Sequence, residues 1–264
     1  MPPQQRYVSR ELTHFVGRSL PDDDARYDLL VKVLKSRWLT HPPHVPAPSD
    51  GGKLTVEETA FSSNEMYSSQ VVCFCDIPVA DLAIHMLKYG SFGLAFHKSF
   101  LVAHGAAPVF YIPRASAVNS AIMRCVAPEL FPKDSESNAT SRAKYFNEAL
   151  RTIVALSLKF NVLIPYAPSA QPTPGMAADP QEIGLRWAVL QEMLHWHVFS
   201  FIKFFDHDRD DTHDENFYME REWRMLGNLN FALANVRRVI LPEQYAKRFC
   251  QDVPEYCGQL TFAD

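Results

Sequence analysis

The chain is short of the features that mark secreted, membrane-spanning or nucleic-acid-coating proteins. Its 264 residues include only five cysteines, an odd number at irregular spacing, which is not the pattern of a disulfide framework. Cys73 and Cys75 stand two positions apart in a strand-like run. They would sit side by side on one face and are too close for an ordinary bridge. Reduced thiols in a cytoplasmic protein are the expectation. The opening Met1-Pro2-Pro3-Gln4-Gln5-Arg6 lacks the apolar core of a secretory signal. The longest apolar stretch, Ile183 to Phe205, is interrupted by Arg186, Glu192, His195, His197 and Lys203, so it reads as a core helix and no membrane partner is expected. A net charge of −4 provides no global electrostatic footprint for nucleic acid, although a local basic groove stays open. Nothing matches GxGxxG, a Walker loop, GxSxG or HExxH.

What is present is ordinary globular material: 47% hydrophobic and 21% charged residues. A chain of this length can bury roughly 70–75% of its unfolded surface, enough for a core without a metal. Tyr7 to Val16 alternates as a first strand. Asp22-Asp23-Asp24 opens a helix whose stripe is Leu29, Leu30, Val33 and Leu34, to about Leu39, with acids in the first turn. His41 to Lys53 is a loop rich in Pro, Gly and Ser. Val71 to Cys75 is a buried strand, and Asp76-Ile77-Pro78 caps a helix from Val79 to Lys88. Strands follow at Ser91 to Phe96 and Pro108 to Ile112. Ser141 to Phe160 and Pro180 to Phe205 read as helices around a Pro-rich loop at Ala167 to Asp179. Strands at Phe217 to Leu226 and Val236 to Leu241 and a short helix at Pro242 to Phe249 close the series. Strands gathered early and late, with helices between, predict an α+β fold. The expected organisation is one domain over 1–264 with a mainly helical insertion at about 116–214.

Three segments carry polar chemistry. In a strand through Glu220-Arg221-Glu222-Trp223-Arg224, the period of two places Glu220, Glu222 and Arg224 on one face. Such a row can polarise a sugar hydroxyl or steady a cationic transition state, and it is equally the pattern of a solvated strand face. His14 lies among apolar residues in Arg10-Glu11-Leu12-Thr13-His14-Phe15, a setting that also suits a satisfied core histidine. Glycines flank Ser91 in Tyr89-Gly90-Ser91-Phe92-Gly93, where Tyr89 and Phe92 could stack on a base. A helix end running into a core strand would look the same. The acidic loop Asp206 to His213 lacks the glycine and closing glutamate of a calcium loop. His195 and His197 point apart on a helix, so no metal is expected.

The order of these segments resembles the AbiGi abortive-infection family of bacterial phage-resistance proteins. The run consists of Thr-His, Leu-Leu-Val-Lys-Val-Leu-Lys-Ser-Arg-Trp-Leu, Val-Cys-Phe-Cys-Asp-Ile-Pro, Tyr-Gly-Ser-Phe-Gly-Leu-Ala-Phe, Pro-Val-Phe-Tyr-Ile-Pro and Glu-Arg-Glu-Trp-Arg. More distantly it is similar to DarT-like ADP-ribosyltransferases. The resemblance covers roughly 7–115 and 215–241, and 116–214 carries no motif of its own. It implies an ADP-ribosyltransferase-like split mixed β-sheet core with helical insertions. It further implies an NAD-dependent ADP-ribosyltransferase toxin of a phage-defence system, acting on single-stranded RNA or DNA. NAD would serve as substrate. Thr13 and His14, with Arg10 as a substitute, would hold the adenosine-side ribose. Tyr89 and Ser91 would line the nicotinamide pocket, and Phe92, from its flat face, counts with them as cofactor-binding. Glu222 would bond the nicotinamide-ribose 2′-hydroxyl and Glu220 would face the acceptor. A protein antitoxin, with a chaperone, would restrain such a toxin. The alternatives are a non-catalytic antitoxin, a nucleotide-binding partner that keeps the fold without turnover, and a transferase acting on protein.

Overall fold

Helix formation starts where the acids predict it. The Asp22 side chain accepts a hydrogen bond from the Ala25 backbone N–H at 2.8 Å, satisfying one orphan donor of the first turn. Asp23 and Asp24 follow in that turn and complement the helix dipole. The helix ends at Arg37 in the left-handed region, φ 62°, with its N–H on the Val33 carbonyl. Tyr27, Leu30, Val31, Val33 and Leu34 form its buried stripe. Each such side chain contributes about 1.5–3 kcal/mol by leaving water.

The computed structural model describes residues 9–41, 44, 54–55, 68–69, 71–113, 149, 189–190, 193–206, 208–210, 213 and 216–263. The chain divides into two compact units. The first holds Met1–Leu54, Ser69–Phe110 and Arg209–Asp264, and the second holds Thr55–Ser68 and Tyr111–Asp208. The elements of the first unit used below are β1 (Glu11–Phe15), α1 (Asp23–Ser36), β2 (Trp38–Leu39), β3 (Val71–Cys75), α2 (Ala83–Tyr89), β4 (Gly93–His97), α3 (Lys98–Ala103), β5 (Ala107–Pro108), β6 (Glu222–Leu226), β7 (Leu229–Asn230), β8 (Val236–Leu241), α4 (Ala246–Asp252) and β9 (Gln259–Phe262).

A seven-stranded sheet runs in the order β9-β8-β4-β1-β3-β6-β5. Its pairings are antiparallel except β8 with β9, which is parallel. The expected mixed sheet in an α/β setting is therefore present. β2 and β7 form a separate two-stranded pair. Directly paired residues point to the same side of a sheet, so the register defines two faces. Leu12, His14, Phe74, Leu94 and Met225 share one, which packs with Tyr27 and Leu30 of α1 in the main core. Thr13, Phe15, Cys75, Ala95, Glu222 and Arg224 share the other. There Leu82 and Met86 pack with Cys75, Phe15 and Ile240 in a second, smaller cluster.

Several boundaries depart from expectation. The first strand is confined to Glu11–Phe15 among the described residues. Asp76 caps no helix: its carboxylate accepts from Lys98 at 2.7 Å and from the Ser9 backbone at 3.1 Å. Val79–Asp81 is a 3₁₀ turn, and α2 begins only at Ala83 without a side-chain cap. Gly90 ends α2 at φ 98°, a conformation natural only to glycine. The late strand starts at Glu222, because Phe217–Glu220 is a 3₁₀ turn and Arg221 is left-handed at φ 44°. In the second unit, Met193–Val198 is π-helical, Phe199–Phe201 is 3₁₀ and Ile202–Phe205 is a strand. The predicted helix to Phe205 thus gives way where apolar residues crowd into Phe-Ile-Lys-Phe-Phe, a β-prone run. Sequence reasoning missed α3 and β9. The readings for Ala167–Asp179, and all but residue 149 of Ser141–Phe160, lie outside the described residues. Among the described residues no helix is long and apolar enough to cross a membrane.

Candidate functional site

The second face of the sheet carries a buried cluster of charges. Cross-strand register lines up Ala95, Thr13, Cys75 and Glu222 on four adjacent strands. Arg224, two residues along β6, reaches back so that its Nε donates to Glu222 Oε1 at 2.7 Å. Nη2 lies 3.5 Å from Oε2. The expected pairing of Glu222 and Arg224 on one strand face is therefore formed.

Glu220 arrives differently. It belongs to the 3₁₀ turn, and the left-handed Arg221 redirects the chain between the two carboxylates. The Tyr89 hydroxyl donates to Glu220 Oε1, and Lys88 Nζ donates to the same oxygen at 2.8 Å. Tyr89 and Lys88 are the last two residues of α2, so one carboxylate fastens that helix end to the turn. Glu220 and Glu222 are both buried, each 5% exposed. Burial pushes the Tyr89 hydroxyl above its usual range, and the nearby Glu220 and Glu222 charges push it further. The Tyr89 ring has two further neighbours: Phe15 stacks on it at 6.3 Å between centroids and 16° between planes, and the Arg18 guanidinium lies 4.9 Å from its centre. Lys88 also lies 4.8 Å from the Phe217 ring centre. Beside them the Cys75 thiol is pushed up to about 12, mainly by burial, then by the Glu220 and Asp76 charges.

Each buried carboxylate thus has its own cation. An ion pair taken out of water costs much of what its attraction returns, so its firmest contribution is to fix geometry. Here it fixes α2, the 3₁₀ turn and β6 relative to one another. Lys88, Arg18 and Lys98 were not singled out in the sequence. The signal available was the position of Lys88 beside Tyr89 at a helix end.

The predicted site residues separate into two groups. Thr13, Tyr89, Glu220 and Glu222 belong to this face. His14 does not: it is the neighbour of Thr13 in β1 and points to the opposite face, where its ring meets Phe74 at 5.8 Å. The expected convergence of His14 and Glu222 on one cleft is not formed, because strand alternation puts the sheet between them. Phe92 offers no stacking surface. It is fully buried in the main core, edge-on to Tyr27 at 6.4 Å and to Tyr245 at 5.3 Å. Arg10 is exposed and joins neither group through its side chain; its carbonyl accepts from the Lys98 backbone. Ser91 is half-buried in the bend before β4. Among the described residues no three His, Cys, Asp or Glu side chains group to hold a metal ion.

A family model described as "abortive phage resistance protein AbiGi, antitoxin" matches residues 53–253. The chain belongs to the AbiGi family. The AbiGi match runs through the middle of the chain that motif order left uncovered, and it begins after β1 and α1, so it leaves out the Thr13-His14 segment. The chain is 25% identical over 189 residues to an abortive phage resistance protein AbiGi of Lactococcus lactis subsp. cremoris, covering 65% of this chain and 70% of that one. No solved structure matches this chain.

Proposed function

We propose that this chain is the antitoxin of an abortive-infection system, acting in the cytoplasm by binding a toxin protein and without chemical turnover. The observation that carries this reading is the state of the two carboxylates. Glu222 is held by Arg224 on the same strand, and Glu220 by Lys88 and Tyr89. A carboxylate paired with a buried cation has less uncompensated negative charge to offer a positive charge developing on a substrate. The antitoxin wording of the family model supports the same reading. The test is co-expression with the product of the gene beside its own. The antitoxin reading expects harmless expression of this chain alone, rescue of cells carrying the partner and a stable complex on purification. Growth arrest by this chain alone sinks it.

A second reading is favoured by the gathering of Thr13, Tyr89, Glu220 and Glu222 on one face. In it the face transfers ADP-ribose from NAD to single-stranded RNA, DNA or protein. Glu222 would stabilise positive charge developing on the ribose, and His14, Phe92 and Arg10 would play no part. Incubation with labelled NAD, with and without nucleic acid or lysate, decides between the two. Transfer that disappears in Glu222→Gln supports the enzyme; an intact NAD pool supports the antitoxin.

A further inference from the structure

Neither reading uses His14, yet its surroundings are specific. Its Nδ1 lies 2.7 Å from the Cys73 carbonyl oxygen. A carbonyl only accepts, so Nδ1 carries the proton and Nε2 of the neutral ring carries a lone pair. That Nε2 is buried and has no hydrogen-bond partner. The His44 ring stands 5.5 Å away, centroid to centroid, at 82° to it. His44 Nδ1 is also buried and without a partner. Both residues are 6% exposed. Two orphaned nitrogens on adjacent buried rings violate the rule that buried polar atoms are paired.

The supporting shell is ordered. His44 is a non-glycine residue at φ 59°, and its N–H bonds the His41 carbonyl at 3.0 Å. His41 in turn bonds the Val71 carbonyl through Nδ1 at 3.0 Å. Val71 and Cys73 alternate along β3, where β1 pairs only at Thr13 with Cys75. The imidazoles of His14 and His41 therefore occupy β3 carbonyls that β1 does not take. A left-handed residue retained in such a place is the kind of local strain that accompanies a binding site.

We propose that His14 and His44 form a two-imidazole site for a divalent first-row cation of the zinc class, with water completing the coordination. Imidazole nitrogens about 2.0–2.1 Å from a tetrahedral ion set their ring centres about 5 Å apart, close to the spacing between these rings. Neutral imidazole suits such ions. The Cys73 carbonyl on Nδ1 of His14 is the usual outer-shell partner that fixes a ligand's tautomer. With two protein ligands the site binds more weakly than a closed four-ligand zinc site, and the bound ion pins His44 to the sheet.

The test uses the purified full chain, stripped with a chelator and titrated with Zn²⁺ against a chromophoric zinc indicator. One ion per chain is expected, with affinity at least about tenfold weaker in His14→Gln and in His44→Gln. Affinity should be unchanged in His104→Gln, whose ring is exposed just past the end of α3 and bonded to the Phe100 carbonyl. Ring-nitrogen NMR of the unmodified protein gives a reading independent of whether the variants fold: Zn²⁺ should shift His14 Nε2 and His44 Nδ1. Absence of stoichiometric uptake, affinity in both variants equal to that of the unmodified chain, or unshifted ring nitrogens overturns the proposal and assigns the two ring nitrogens to buried water.

Discussion

The two faces of the sheet are held by different physics. On the α1 face, Leu12, Leu94, Phe96 and Val239 are fully buried, and the constraint is volume. On the α2 face, Glu220 and Glu222 are buried with Lys88 and Arg224 as partners, and the constraint is geometry. An apolar face tolerates a change of shape if volume is kept. A charged face tolerates removal of a whole pair better than loss of half of one. Thr13, Tyr89, Glu220 and Glu222 fall on the geometry-constrained side, while His14 and Phe92 belong to the volume-constrained side.

The sharpest way to break the contrast is Leu94→Ala. It should cost about 3–5 kcal/mol, because the cavity forms in the middle of a close-packed layer; the midpoint of urea unfolding reads it. Glu220→Ala comes next, at about 2–4 kcal/mol, since it removes the buried carboxylate that Lys88 and Tyr89 share. Converting both partners, Glu220→Leu with Lys88→Met, should recover most of that loss by the same measurement. A double variant as unstable as the single one would mean the pair contributes more than geometry.

Acid should distinguish the faces without mutation. Burial, followed by the nearby His44, holds His14 down to about 3 from an ordinary 6.5, with the Cys73 carbonyl partly opposing. Burial lowers His44 as well, with His41 and Lys32 adding to it and Thr40 opposing. The unfolded chain then binds more protons than the folded one between those values, so stability falls as pH drops from about 6.5 towards 3. In chelator-treated protein, unfolding across that window should take up protons, and His14→Gln should reduce the uptake. Thiol labelling at pH 8 gives a smaller effect: Cys75 should stay unmodified in folded protein while the exposed Cys250 and Cys257 react. Smallest is Glu255→Gln, which removes an exposed pair with Arg37 and should change stability by less than about 0.5 kcal/mol.

Local chemistry made part of this architecture legible in advance. The Asp22 cap, the strands Val71–Cys75 and Val236–Leu241 and the Gly90 stop follow from neighbours in sequence, and they stand where residue type and period put them. What failed was decided by distant partners. Asp76 left its helix for Lys98, and Glu220 left its strand for Lys88 and Tyr89, 132 and 131 positions away. The alternation rule that linked Glu222 to Arg224 also separates Thr13 from His14, so sequence adjacency gave the wrong partner for Glu222. His41 and His44 read only as members of a Pro-rich loop, because nothing local reveals that β1 vacates the β3 carbonyls.

The strand order has a consequence for how the molecule is made. β3 lies between β1 and β6, and Cys75 meets Glu222 across 147 intervening steps of chain. During synthesis the half-built sheet must keep one flank of β3 open until β6 leaves the ribosome. Closing so long a loop is slow and exposes an unpaired edge meanwhile. Nascent chains that stop short of residue 222 should therefore be the aggregation-prone ones.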